Sequence, residues 1–139
     1  MTRYLIDTGF LYALIDKNDE HHASVFDAMA KIRESIVFPI PAITEVSYFV
    51  SRNLGVQALA NFLVDLAETG DFDLEPPEPI DYLRSAEILR KYNDANIDFV
   101  DACIVAMAER LKITKILTVD RRHFSIFKPL HCDSFEILP

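Results

Sequence analysis

The chain has 139 residues, the size of one ordinary domain, and half of them are hydrophobic, so a sizeable core is within reach. Charged residues make up 26% and the net charge is −8, a balance that argues against a disordered tail and against a nonspecific nucleic-acid binder. No apolar run is long and uncharged enough to span a bilayer, and the three glycines form no nucleotide-binding loop.

Residues 3–6 read as a short buried strand, reached so early that no signal peptide fits, which makes the cytoplasm the expected location. After Gly9 a first helix runs over residues 10–15. Residues 18–35 carry Val25, Phe26, Met29, Ala30 and Ile32 at helical spacing, with Asp19 as the cap. Residues 36–38 form a second strand, closed by Pro39 and Pro41. Helices over 44–53 and 56–68 follow, separated at Gly55. A strand over 72–75 leads into the rigid turn Pro76-Pro77-Glu78-Pro79. Helices over 80–92 and 98–111, a strand over 115–119, a short helical element over 121–127 and a last strand over 134–138 complete the chain. Strands alternate with helices throughout. The expectation is one domain over residues 1–139, a three-layer α/β/α sandwich around a central, mostly parallel sheet.

Four carboxylates stand at separated places, each beside an apolar segment: Asp7, Glu45, Asp101 and Asp120. Asp7 and Asp120 follow predicted strands, and ligands of open parallel sheets bind outside the carboxyl ends of strands. Glu45 lies early in the helix after the second strand, so it opens toward the same edge. Asp98 and Asp101, three apart, share roughly one helix face. Gathered carboxylates resist ionising together, and a hard cation such as Mg²⁺ or Mn²⁺ is the usual compensation.

Plainer roles exist for each acid. Asp98 and Asp101 fit a capping box, and for Asp98 alone the cap is the better reading. Asp7 and Asp120 could cap the helices that follow them, and Glu45 could be an exposed helix acid. Four independent coincidences are less economical than one gathered site. Other chemistries have little support. His21 and His22, adjacent on a helix, point apart and read as a surface pair. Cys103 has no histidine near it in sequence and reads as a small core residue, and no serine sits in a nucleophile elbow. A phospho-acceptor domain needs paired acids after the first strand, whereas Asp7 is followed by Thr8 and Gly9.

The ordered set of Leu5-Ile6-Asp7-Thr8-Gly9, Ala42-Ile43-Thr44-Glu45-Val46, the segment from Asn96 through Asp98 and Asp101 to Leu111, and Ile116-Leu117-Thr118-Val119-Asp120-Arg121-Arg122-His123-Phe124 resembles the PIN-domain family, especially VapC-type toxins. The resemblance covers essentially the whole chain. It implies a Mg²⁺- or Mn²⁺-dependent ribonuclease, commonly dimeric and commonly paired with an antitoxin protein. By position, Asp7, Glu45, Asp101 and Asp120 match the acidic quartet and Asp98 a frequent extra acid. Asp7, Asp98, Asp101 and Asp120 are thereby implied metal ligands, and Thr8 and Thr118 small polar residues beside them. Arg121, Arg122 and Arg52 are expected to take flanking phosphates. A catalytically silent RNA- or protein-binding module of the same fold is the alternative. Large apolar residues over 44–68 (Tyr48, Phe49, Leu54, Leu59, Phe62, Leu63) belong to the core or to a face for a second copy or an antitoxin helix.

Overall fold

The computed structural model describes residues 2–139. The elements run β1 (Arg3–Ile6), α1 (Thr8–Ile15), α2 (His22–Lys31), β2 (Ser35–Pro39), α3 (Ile40–Leu54), α4 (Val56–Glu68), β3 (Asp73–Glu75), α5 (Pro79–Lys91), α6 (Phe99–Leu111), β4 (Lys115–Leu117), α7 (Arg121–Ile126) and β5 (Glu136–Leu138). All five strands are parallel, in the order β3-β2-β1-β4-β5, so the sheet expected to be mostly parallel is entirely so.

Side chains alternate across a strand, and here the alternation feeds two cores. Tyr4, Ile6, Ile36, Phe38 and Leu117 pack with α1 to α4 through Phe10, Val25, Val46 and Phe62. Leu5, Val37 and Ile116 pack with α5 to α7 through Ile88, Ile104, Met107 and Phe124. These are the three layers. From β1 the chain steps outward through β2 to β3. It then crosses by α5 and α6 to the other side of β1. The strand order therefore reverses between β1 and β4, and a crevice opens there beyond their carboxyl ends.

Several boundaries differ from the sequence expectation, each for a local reason. Asp16 and Asp19 side chains accept the amides of Asn18 and His21, so residues 16–21 form turns and α2 begins at His22 rather than near residue 18. Asp19 shapes that turn and does not cap the helix. Pro39 pairs with Glu75 as the last residue of β2, and Pro41 lies in the first turn of α3, where a missing amide costs nothing. Glu45 is consequently on the second turn of α3, later than expected. Strand β4 stops at Leu117 because the Thr118 hydroxyl takes the Asp120 amide at 3.0 Å and turns the chain. Both cysteines are free thiols. Among the described residues no helix is long and apolar enough to cross a membrane.

Candidate metal centre

Three of the acids arrive at the crevice as helix caps. Asp7 caps α1, taking the Thr8 amide on Oδ1 at 2.8 Å and the Thr118 hydroxyl on Oδ2 at 2.9 Å. Asp98 caps α6 through a reciprocal box: its Oδ1 accepts the Asp101 amide at 3.0 Å, and Asp101 Oδ2 accepts the Asp98 amide at 3.1 Å. Asp120 caps α7, its Oδ1 accepting the His123 amide at 3.1 Å, while His123 Nδ1 lies 2.7 Å from its Oδ2. Glu45 is half-buried on α3 and accepts no hydrogen bond among the described residues. A close approach joins these parts: a Cβ on Gly9 would stand 3.0 Å from Val119 Cγ2. Glycine there lets the start of α1 press against the segment leading into Asp120.

Asp7, Glu45, Asp98, Asp101 and Asp120 all line one open cleft of ≈ 460 Å³. Their charges reach one another. Asp7 is 7% exposed. Burial pushes its carboxyl up to about 6 against the pull of the Thr118 and Thr8 hydrogen bonds, and the charges of Glu45 and Asp120 raise it further. Burial likewise pushes Asp101 up to about 7, opposed by the Asp98 amide and reinforced by the charges of Asp98 and Asp7.

The donor set suits a hard cation. The acids supply oxygen alone, and Thr8 Oγ1, buried beside Asp7, has no hydrogen-bond partner. Among the described residues no three His, Cys, Asp or Glu side chains close tightly enough to enclose an ion unaided.

A family model described as PIN domain matches residues 4–128. This chain belongs to the PIN domain family. A relative from Mycobacterium tuberculosis (strain ATCC 25618 / H37Rv), Ribonuclease VapC26, is 33% identical over 135 residues, which is 97% of this chain and 99% of the relative. The crystal structure of VapC20 from the same species, a sarcin-ricin loop cleaving toxin, is similar with a TM-score of 0.75 at 18% identity, covering 81% of this chain and 86% of that one. VapBC2 from Rickettsia felis, bound to a DNA fragment from its promoter, is similar with a TM-score of 0.69 at 14% identity, covering 98% and 97%. At those identities the two structures speak to the fold.

Not every residue expected at the site of this PIN domain faces the cleft. Thr8 does. Thr118, expected as a small polar residue beside the metal ligands, is fully buried, and its hydroxyl is spent between Asp7 and the Asp120 amide, so it clasps the two acids together. Arg121, expected on a phosphate, turns away to donate to the Ile137 and Pro139 carbonyls. Arg122 and Arg52 are exposed, and neither lines the cleft. Conversely, Tyr12, His21, Phe49 and His123 line it without having been expected there. His123 carried a usable signal, since the third residue after a helix-capping acid lies over the cap. His21 and His22 do point apart: His21 faces this cleft, and His22 faces a separate groove.

Proposed function

We propose that this PIN domain is a divalent-metal-dependent endoribonuclease, acting as a single domain, and the toxin of a type II toxin–antitoxin pair. The observation that carries the reading is the gathering of Asp7, Glu45, Asp98, Asp101 and Asp120 on one cleft at the point where the strand order reverses. Kinship at 33% identity with a protein named as a ribonuclease supports it.

Asp7 and Asp101 would hold a Mg²⁺ or Mn²⁺ ion, with Asp98, Glu45 and Asp120 as further oxygen donors. Such an ion supplies charge neutralisation at a phosphodiester and activates water as a nucleophile near neutral pH. The chain's own residues prepare for it. Thr118 and the first amide of α1 lock the Asp7 rotamer. The capping box fixes Asp101, and His123 fixes Asp120. Thr8 Oγ1 stands free as an additional oxygen beside Asp7.

The antitoxin partner is supported by relatives of this fold that are toxin–antitoxin complexes, one of them from Klebsiella pneumoniae. A groove of ≈ 670 Å³ between α1, α2 and α4, walled by Leu11, Leu14, Phe26, Met29, Phe62 and Leu66, is apolar enough for an antitoxin helix. Exposed Tyr48, Val56 and Leu63 on α3 and α4 offer surface to the same partner or to a second copy in a homodimer.

The test is cleavage of a mixed tRNA and rRNA-fragment pool by purified protein with Mg²⁺, with Mn²⁺ and with EDTA, beside Asp7→Asn and Asp101→Asn. Metal-dependent cutting lost in both variants is the expected result. Calorimetric Mn²⁺ binding without any cutting would replace the nuclease with a silent binding module, and no Mn²⁺ binding at all would refute the metal centre.

A further inference from the structure

Of the five acids read above as metal donors, four are held by hydrogen bonds: Asp7 by Thr8 and Thr118, Asp98 and Asp101 by each other's amides, and Asp120 by His123. Glu45 has no such anchor among the described residues. It is half-buried on α3, and its carboxylate reaches the cleft only from where that helix lies against α1. Whatever seats α3 on α1 therefore also seats Glu45.

Helix α1 and its C-cap carry Thr8, Tyr12 and Asp16 four residues apart, and α3 carries Glu45, Phe49 and Asn53 at the same spacing. Residues four apart share a helix face. Thr8, Tyr12, Glu45 and Phe49 all line the carboxylate cleft, so these are the faces that α1 and α3 present to it. Tyr12 joins the two rows. Its ring meets that of Phe49 edge to face, with centroids 6.2 Å apart at 63°. Its hydroxyl accepts from Asn53 Nδ2 at 3.1 Å and donates to Asp16 Oδ2 at 2.7 Å. One side chain of α1 thus touches both residues that follow Glu45 on its face of α3, and the Asp16 carboxylate holds the hydroxyl in place by a charge-assisted bond. Phe49 belongs to neither hydrophobic core, so its place depends on the rings of Tyr12 and Tyr48 beside it. The bond from Asn53 is exposed to water and adds little to global stability, but its distance and angle fix how α3 sits.

We propose that Tyr12 is a positioning residue for Glu45: by holding Phe49 and Asn53 it sets α3 so that the Glu45 carboxylate serves the ion that Asp7 would bind. The inference rests on the metal-centre reading above and deepens it. Tyr12 acts through another residue, because its one hydroxyl proton is committed to Asp16. The rival role is packing alone, in which Tyr12 supports the fold and Glu45 is indifferent to it. The two roles differ in one measurable respect. A positioning residue loses its effect once the group it positions can no longer bind metal, whereas a packing residue keeps it.

The test is a double-mutant cycle read by calorimetry with Mn²⁺ alone, beside melts in EDTA that check the folding of each variant. Tyr12→Phe keeps the ring and removes the hydroxyl. Asn53→Ala removes the other end of the same bond from an exposed position. Each should weaken Mn²⁺ binding about 3- to 10-fold, the equivalent of about one hydrogen bond. In a Glu45→Gln background, where Mn²⁺ binding is already weaker, neither should add more than about 1.5-fold. The same coupling to Glu45 is expected in kcat for Mn²⁺-dependent RNA cleavage. Equal losses in both backgrounds would reduce Tyr12 to packing and overturn the proposal. So would Mn²⁺ binding that neither Tyr12→Phe nor Glu45→Gln disturbs. Coupling in Mn²⁺ binding without any cutting of RNA would instead leave Tyr12 in its role and sink the nuclease reading. No Mn²⁺ binding by wild type would overturn the metal centre and the role of Tyr12 together.

Discussion

Replacing Asp7 by Asn should make the metal-free protein more stable while abolishing cleavage. The carboxyl is 7% exposed and is pushed from 3.8 up to about 6, chiefly by burial. Holding it ionised at neutral pH therefore destabilises the fold by about 3 kcal/mol, at 1.36 kcal/mol for each tenfold change in proton affinity. Asparagine keeps an oxygen for the Thr8 amide or the Thr118 hydroxyl but not the charge-assisted strength of both bonds. With that loss deducted, the net gain is about 1–2 kcal/mol, or about 3–8 °C in Tm for a chain of this size.

The sign with pH follows from the direction of the shift. Because the folded-state value is the higher one, the penalty is absent where both states are protonated, grows as pH rises from 3.8 toward about 6, and is complete above that. Thermal melts in EDTA at about pH 8 should show the full advantage of Asp7→Asn, and melts at about pH 4.5 should show most of it gone. Added Mn²⁺ should then stabilise the wild type and leave the variant unmoved. A variant that melts at or below wild type at the higher pH, or whose advantage is the same at both, would refute the account of a charge held against burial.

Mn²⁺ binding should release protons, because Asp7 and Asp101 sit at about 6 and about 7 without it; calorimetry in buffers of different ionisation enthalpy should see the release at about pH 6.5 and lose it by about pH 8.5. Thr118→Val removes the donor to Asp7 and the acceptor for the Asp120 amide, so melting should report a loss of about 1–3 kcal/mol together with a fall in cleavage, and an unchanged melt would show that Thr118 clasps nothing. Gly9→Ala sets a Cβ 3.0 Å from Val119 Cγ2 against the helix preference of alanine, so melting should show it less favourable in the wild-type background than beside Val119→Ala; an equal effect in both backgrounds would show that the contact carries no strain. Arg110→Met leaves Asp81, which is 1% exposed, with only the Glu78 amide as a partner, and urea unfolding should show a loss of about 2–4 kcal/mol, whereas a loss below about 1 would mean that the amide alone suffices.

The layers were legible because period and length carry them. Residues 3–6 and 56–68 have the bounds the pattern predicts, and the alternation of strand and helix admits few arrangements other than a parallel sheet. Local side-chain chemistry shifted the remaining boundaries. Asp16, Asp19 and Thr118 each take a backbone amide and turn the chain where hydrophobic period alone runs on. Asp7 and Asp120 were legible because each follows an apolar strand that ends at the sheet edge, whereas Glu45 and Asp101 lie inside helices whose early turns open toward that edge. Contacts between helices were not legible: Tyr82 and Phe99 are 17 residues apart, and their exposed rings stack only because α5 lies against α6. Arg121 was misplaced for a similar reason: its partners are carbonyls at the far end of the chain, brought alongside by β5.

Caps and ligands looked like competing readings of Asp7, Asp98 and Asp120, yet the structure makes each a cap and also a wall of the cleft. The two roles depend on each other. A helix start carries unpaired amides and roughly half a positive charge, which favours a carboxylate by about 0.3–1 kcal/mol, up to about 2 when partly buried. Three such starts, those of α1, α6 and α7, meet at the reversal of strand order. They let a cleft whose described walls hold no lysine or arginine tolerate six acids, Asp19 among them. The offset is incomplete, since Asp7 still carries about 3 kcal/mol of penalty when ionised, after its amide and hydroxyl bonds have acted. Arginine in the walls would remove that deficit permanently and leave the acids salt-bridged. Helix starts remove part of it and leave the rest as a driving force for a cation, which is the balance a reversible metal centre requires.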